Sequence, residues 1–418
     1  MDFVVPFLRS ISPVSASLFT IFFVTFHTPF YGSFAVFFIE LLMINHLLKH
    51  LNYKNSLCLV PKAVKVPLVM FFISLCIGLF GVYLEPVDDG HFIAALYRSL
   101  FIVMHFAYGF VLYLHLRITN TAIDITTPIA LATCLAILFS LVSYWTPSLN
   151  AALAQGDFFF SANRRYQGYL VLFSTISLTI TLLTTNAKKH TYLLTALSFG
   201  YMIWLGGRGT FVAYFVTLCL ALFLLLSKQE LSLREVLRLI SVLVASTIAS
   251  IPFSIFTWNG LVRFAKKSES VEAMSSGAFQ ARVSLWHEAI QNFTQKPLFG
   301  YGAEGHFFNT DIGYLQPHNL LLQWLIEFGL FATIALIALL AILSLQVLLT
   351  HTFKSEFSSL PLFCGFIALL IQGTVDGNFY HGAPLMLFFS ICASLTAMTT
   401  QPLSEHSKMA LATAKIKS

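Results

Sequence analysis

The class of this protein is already visible in residues 317–349, which read PHNLLLQWLIEFGLFATIALIALLAILSLQVLL. The thirty residues after Asn319 contain one formally charged side chain, Glu327, and are otherwise almost wholly apolar. A helix needs roughly 20 mostly apolar residues to cross about 30 Å of hydrocarbon. At 1.5 Å per residue, this stretch predicts one helix about 45 Å long. Such a helix would span a membrane, and its first turns would extend beyond the membrane surface.

The composition of the whole chain agrees with that prediction. Of its 418 residues, 57% are hydrophobic and 10% are charged, and the mean hydropathy is +0.80. A soluble domain carries about 25% charged residues, so this chain has too few to cover a globule. The composition excludes a soluble enzyme, a secreted disulfide scaffold and a nucleic-acid-binding protein. The formal net charge of +6 is not evidence for an anionic partner, because lysine and arginine in a membrane protein first reflect its topology.

Hydropathy predicts an all-α polytopic membrane protein with about twelve transmembrane helices. We treat residues 1–418 as a single membrane domain, with a long outer loop at 257–318. The predicted spans are 12–27, 32–48, 66–84, 92–116, 126–145, 169–185, 191–206, 210–227, 237–256, 319–350, 358–375 and 384–400.

The positions of lysine and arginine predict the orientation of these helices. With the N-terminus inside, 15 of the 24 basic residues fall on cytoplasmic segments, whereas the outer loops 28–31, 85–91 and 376–383 hold none. The positive-inside rule therefore predicts that both termini are cytoplasmic. Arg98 lies within a span, and the eight basic residues left on the outer side are Arg164, Arg165, Arg208, Arg263, Lys266, Lys267, Arg282 and Lys296.

These outer cations predict an anion site. Arg208 lies in WLGGRGTFVAYF, between two apolar helices with almost no loop, where a charge is costly without a partner or a function. A planar guanidinium binds phosphate oxygens in pairs. For Arg263, Lys266 and Lys267 the alternative is a solvated loop surface, because long loops cross the membrane regardless of charge.

The outer loop is predicted to contain an amphipathic helix. Its apolar residues recur at spacings of three and four, at Phe279, Val283, Trp286, Ile290 and Phe293. This one-sided stripe predicts packing on the outer leaflet or on the helix bundle. Arg282 falls about 60° from the centre of the stripe, where it binds either an anionic substrate or lipid phosphates.

The corner at Pro317, His318 and Asn319 is predicted to begin the following helix. Glycines interrupt the loop before it, which predicts irregular backbone, and Asn319 is suited to cap the helix. The positive end of the helix dipole disfavours an imidazolium at His318, so a neutral imidazole there can accept a proton. The alternative is a histidine that only satisfies backbone groups.

These elements, in this order, resemble the O-antigen ligase and polymerase superfamily. The resemblance covers roughly residues 160–345 and rests on the Arg164-Arg165 turn, the Arg208-Gly209 turn, ARVSLWHEAI, KPLFGYG and PHNLLLQWLIEFGL. It implies a GT-C-like, inverting glycosyltransferase of the bacterial inner membrane that uses neither metal nor cofactor and whose site faces the periplasm. The implied donor is an undecaprenyl-diphosphate-linked glycan, and the implied acceptor is a sugar hydroxyl of lipid A-core. The turn before 169–185 lacks the Asn-Pro-Asn of many members.

The resemblance also implies roles for single residues. His318 matches the essential loop histidine of the family and would be the catalytic base. Arg208 and Arg282 match the arginines assigned to the substrate diphosphate. Arg164 and Arg165 occupy a more variable basic site, at which one of the two need function.

Supporting roles are predicted for Asn319, Glu304, Asp311, Trp286 and Glu327. Glu304 and Asp311 either order the loop or orient the histidine, and Glu327 either pairs with an arginine or has a structural role. Asp376 and His381, in the outer turn DGNFYHG, are secondary candidates for lining the site. No group of outer carboxylates resembles a magnesium site, so no metal is predicted.

Three other functions fit parts of the sequence. An O-antigen polymerase would join two lipid-linked repeats, and a third transferase would glycosylate protein; the modest loop favours the ligase only weakly. A lipid-linked glycan transporter or flippase would also have about twelve helices. It would usually show repeat symmetry and broken helices at the midplane, whereas here the polar residues concentrate at the outer face.

Overall fold

The chain is helical throughout the part that the structure describes. A computed structural model describes residues 12–24, 29–49, 61–87, 89–146, 164–184, 187–227, 231–256, 278–305, 316–349 and 359–400. The helices there are α1 (Pro13–Ile21), α2 (Pro29–Leu48), α3 (Lys62–Leu84), α4 (His91–Thr119), α5 (Thr126–Trp145), α6 (Arg164–Thr184), α7 (Lys189–Leu205), α8 (Arg208–Ser227), α9 (Leu233–Phe256), α10 (Ala278–Gln295), α11 (Leu320–Leu349), α12 (Leu360–Gly373), a 3₁₀ helix (Asn378–Tyr380) and α13 (Gly382–Thr399). None of these residues lies in a β-strand, which confirms the all-α prediction.

The helices are those of a multi-pass membrane protein. In the described ranges, eight are long and apolar enough to cross a membrane, namely α3, α4, α5, α6, α8, α9, α11 and α13. Shorter apolar helices occur at Gly32–Leu48 and Leu360–Gly373. Every predicted span contains a helix, and the number that cross the membrane stays a prediction.

Helix α6 lies at the centre of one half of the bundle. It packs against α5, α7, α8 and α12. Its hydroxyl groups are buried but bonded, as for Thr179 with the Tyr214 hydroxyl at 3.0 Å and Ser177 with the Pro361 carbonyl at 3.0 Å. A buried hydroxyl is tolerated when it finds such a partner, so polar bonds as well as apolar packing connect this helix to α8 and α12.

The other half surrounds an apolar cavity. Helix α3 packs on α11, and α4 packs on α2 and α13. The space left between α3, α4, α11 and α13 has a volume of about 660 Å³. Its lining is mostly Leu, Phe and Val, with Arg98, Gln323 and Glu327 among the polar exceptions.

Helix α11 is interrupted, contrary to the prediction of one continuous helix. Gly329 has φ 72° and ψ −174°, a conformation that only glycine adopts readily. The turn after α10 packs at this break, so that the Leu330 amide donates to the Pro297 carbonyl at 2.8 Å and the Tyr301 amide donates to the Ile326 carbonyl at 2.8 Å. These bonds replace those that the helix loses at the break, and they fix the outer loop to α11.

Candidate functional site

Residues 374–381, between α12 and α13, connect the predicted site elements. The Asn319 side-chain amide donates to the Thr374 carbonyl at 3.1 Å. On the opposite side, a Cβ placed on Gly209 would lie 3.0 Å from Val375 Cγ2. The corner before α11 and the start of α8 therefore contact the same short turn, at one end of the bundle.

His318 lies at this corner in a strained conformation beside a carboxylate. Its φ is 49°, which is uncommon for a residue with a Cβ and is retained only where surrounding contacts require it. Its Nδ1 is 3.5 Å from Asp376 Oδ1, and the two side chains are 20% and 12% exposed. The two atoms form no hydrogen bond at this distance, but the carboxylate charge favours a proton on Nδ1, so that Nε2 can accept one. Asp376 was predicted only as a secondary candidate for lining the site.

The predicted N-cap of α11 is confirmed. Asn319 Oδ1 accepts hydrogen bonds from the Leu321 amide at 3.0 Å and the Leu322 amide at 3.2 Å. Since the same side chain also donates to the turn at residue 374, Asn319 fixes the beginning of the helix and the position of His318 before it.

Arg282 is linked to this corner through its own helix. Trp286 follows Arg282 by one helical turn, and its indole N–H donates to the Pro317 carbonyl at 2.7 Å. Pro317 directly precedes His318. The half-buried Arg282 thus lies on the part of α10 that is bonded to the histidine corner.

The face of α10 that packs against the protein lies beside the predicted apolar stripe, and packing of that stripe on the outer leaflet stays a prediction. Leu285, Ala289 and Asn292 are buried, whereas Val283 is 39% exposed and Ile290 is 50% exposed. The small Ala289 side chain allows α10 to approach α11 closely. Two members of the apolar stripe predicted from spacing therefore stay on the surface.

Arg208 is exposed at the first residue of α8. The preceding helix ends at Gly206, which has φ 65° and so allows the tight turn between the two helices. Two residues later, the Thr210 hydroxyl accepts from the Gln372 side-chain amide at 2.9 Å, which ties α8 to α12. A cation beside the free amides of a helix N-terminus is a setting that favours an anion.

Of the remaining predicted residues, two are only partly located and one lies outside the described residues. Arg164 and Arg165 begin α6, but their side chains are outside the described part of the chain, as is all of Asp311. A Cβ on Gly168 would lie 3.3 Å from Thr210 Oγ1. The first turn of α6 therefore lies beside the first turn of α8.

Glu304 and Glu327 have defined partners. Glu304 lies 3.5 Å from Arg98 Nε and accepts a hydrogen bond from the Tyr380 hydroxyl at 2.5 Å, which favours the loop-ordering alternative. Glu327 is buried and accepts from the Gln323 side-chain amide at 3.3 Å. No role was predicted for Arg98, because its partners Glu304 and Phe379 lie far away along the chain.

His381 is a second histidine near the turn, but it is less accessible than His318. Burial and, to a smaller extent, the Arg98 cation lower the pKa of His381 to about 3, with Asp376 partly opposing both effects. Its ring packs against Tyr166 at a centroid distance of 4.3 Å, and the residue is 8% exposed. It is therefore a neutral packing residue at physiological pH, which leaves His318 as the reachable imidazole of the two.

The structure places a histidine near a carboxylate at this face, and it connects the two arginine-bearing helices to the same turn and corner. Among the residues that the structure describes, no group of three His, Cys, Asp or Glu side chains could hold a metal ion. A histidine paired with a carboxylate can remove a proton from a hydroxyl, and nearby guanidinium groups can stabilise an anionic leaving group.

Residues 193–337 match the family model described as O-antigen ligase. The match covers about a third of the chain, from within α7 to within α11. It includes Arg208, Arg282 and His318, whereas Arg164 precedes it and Asp376 follows it. None of the curated proteins in the comparison matches the chain.

Proposed function

We propose that this membrane protein is an O-antigen ligase, because residues 193–337 match the family model of that description. It transfers an O-antigen polysaccharide from undecaprenyl diphosphate to a sugar hydroxyl of lipid A-core. The reaction takes place at the periplasmic face of the bacterial inner membrane and completes lipopolysaccharide.

The observation that carries this proposal is the paired, strained histidine at the start of α11. His318 combines a left-handed backbone, a carboxylate within 3.5 Å and a partly exposed ring. Strain of this kind costs about 1–3 kcal/mol, and surface packing alone gives no reason to retain it. The start of α8, which carries Arg208, contacts the turn at residues 374–381 that also contacts this corner, and α10 bonds to the corner through Trp286.

In the proposed reaction, His318 Nε2 takes the proton of the acceptor hydroxyl while its oxygen attacks the anomeric carbon of the donor sugar. The bond between that carbon and the diphosphate oxygen breaks, and undecaprenyl diphosphate leaves with the electron pair. Attack opposite the leaving group inverts the configuration. Asp376 stabilises the imidazolium that forms, as a carboxylate does in other histidine bases.

Arg208 and Arg282 neutralise the departing diphosphate, with Arg164 or Arg165 as a further cation. Two guanidinium groups can supply the charge stabilisation that phosphate departure requires. Both substrates carry a lipid, so the membrane holds the donor and the acceptor at this face.

Arg208→Lys is expected to lower the transfer rate by about tenfold or more, because lysine keeps the charge but loses the bidentate fork. The apparent affinity for the donor should fall as well. Initial rates over a range of donor concentrations in proteoliposomes measure both effects. Arg234→Lys is the matched control, since Arg234 is also exposed in the first turn of a helix, α9. Full activity of Arg208→Lys would show that this position needs only a positive charge and not a bidentate guanidinium.

The lipopolysaccharide of a deletion strain tests the function itself. A lost ligase leaves core without O-chain and accumulates lipid-linked polymer. Core that carries a single repeat would instead identify a polymerase. Lipid-linked repeats held on the cytoplasmic leaflet would identify a transporter, and either of these outcomes overturns the proposal.

A further inference from the structure

Three chain segments meet at Arg98, which extends from α4 into the protein. Arg98 Nε lies 3.5 Å from Glu304 Oε1, with the two side chains 7% and 13% exposed. The guanidinium carbon lies 4.4 Å from the centre of the Tyr380 ring, and Nη2 donates to the Phe379 carbonyl at 3.5 Å. One cation thus contacts both the outer loop and the turn before α13.

The loop and the turn are also bonded directly to each other. The Tyr380 hydroxyl donates to Glu304 Oε2 at 2.5 Å. Burial raises the pKa of Tyr380 well above 10, and the Glu304 charge raises it further, so the phenol keeps the proton that it donates. Glu304 has φ 67°, a strained conformation for a residue with a Cβ, which these contacts offset.

The segment from Asp376 to Tyr380 is held at both of its sides. Asn378 donates to a backbone carbonyl of α12 at 2.9 Å, and Tyr380 bonds to the loop. Asp376, at the start of the segment, accepts from the Gly377 amide at 2.9 Å and faces His318 Nδ1 at 3.5 Å. Asp376 and Tyr380 thus belong to one short segment, whose two ends contact the His318 corner and the outer loop.

We propose that Arg98, Glu304 and Tyr380 form a clamp that holds Asp376 against His318. They are positioning residues of the transferase reaction, so this inference rests on the proposed function. A purely structural tie at this place would be as stable with packed apolar side chains, because desolvating a buried ion pair offsets much of its attraction. Charged residues are explained here by a different requirement: they fix the turn, and with it the distance between Asp376 and the His318 imidazole.

The first test measures the reactivity of His318 without any substrate. Diethyl pyrocarbonate modifies neutral imidazoles, and mass spectrometry of the peptide that contains His318 gives the rate in the purified full chain. Asp376→Asn should raise the rate at His318 roughly three- to tenfold relative to the rate at His287 on α10, because the imidazole loses the carboxylate that holds it at 3.5 Å. The ratio of these two rates, measured in the same sample, removes differences in the concentration and decay of the reagent.

Tyr380→Phe should change that ratio in the same direction, by at least about twofold, since it removes one hydrogen bond to a charged group. The double variant with Asp376→Asn should react no faster than Asp376→Asn alone, because both changes act through the same contact. Tyr301→Phe is the matched control: its hydroxyl donates to Gln295 at 2.7 Å in the same loop but does not reach the turn. An unchanged ratio in Tyr380→Phe, or independent effects in the double variant, would overturn the clamp.

The second test measures transfer. Tyr380→Phe should lower kcat about tenfold while the donor KM stays within about twofold, and Tyr301→Phe should stay near wild type. If Tyr380→Phe does not fold, Glu304→Gln replaces it; glutamine keeps an acceptor for the phenol but loses the charge that pairs with Arg98. A wild-type ratio and kcat in Glu304→Gln would reject the clamp. A wild-type chain that transfers no glycan would reject the proposed function, and the labelling ratio would still decide on the clamp.

Discussion

His318→Ala is expected to lower glycan transfer by about 10²–10⁴-fold, the usual contribution of a general base. Donor binding should change little, because the diphosphate is held by the arginines and not by the imidazole. Initial rates in proteoliposomes measure the first effect, and retention of labelled lipid-linked donor by the purified variant measures the second.

Two further variants separate the loss of a base from the loss of structure. His318→Asn removes the base but suits the left-handed backbone, since asparagine is enriched there, and it should be as inactive as the alanine variant. His287→Ala removes an exposed histidine of α10 that bonds to Gln291 at 3.0 Å and should transfer normally. A near wild-type rate in His318→Asn would contradict the proposed role of His318 as the general base.

Gly329→Ala is expected to destabilise the protein by more than about 3 kcal/mol, through strained backbone and a clash. A Cβ there would lie 2.3 Å from the Leu298 carbonyl oxygen and 2.4 Å from the Phe299 nitrogen, both of which are backbone atoms that cannot rotate away. The midpoint of thermal unfolding in detergent, followed by circular dichroism, measures the loss.

Gly81→Ala is the matched control for this substitution. Gly81 lies in α3, and a Cβ there would meet nothing within 4 Å. Alanine should stabilise that helix by about 0.5–1 kcal/mol, because it restricts the unfolded chain more than glycine does. Equal midpoints for the two variants would contradict the break that the structure shows in α11.

Much of the fold was predictable because spanning helices depend on local apolar content. The span predicted at 126–145 matches α5 (Thr126–Trp145), and the N-cap at Asn319 follows from the residue type alone. The break at Gly329 was not predictable in the same way. A lone glycine in an apolar helix is usually tolerated, and the turn that packs there comes from residues 297–301, before the helix begins.

The site was predictable where one residue type carries the chemistry, and less so where contacts between distant segments do. The positions of Arg208 and His318 at helix starts follow from turn and cap residues. The partner of His318 does not, because Asp376 is brought beside it only by the packing of α12. Arg98 resembles an ordinary charge near a helix end until Glu304 and Tyr380 are placed beside it.

The most direct test of the account is a transfer reaction with purified protein in proteoliposomes. The donor is a polyprenyl-diphosphate-linked glycan with a radioactive sugar, and the acceptor is lipid A-core. If the protein is an O-antigen ligase, the label becomes covalently attached to lipid A-core at a rate proportional to the amount of wild-type protein. Label that only changes leaflet, while still attached to its original lipid, would contradict the proposed ligase function.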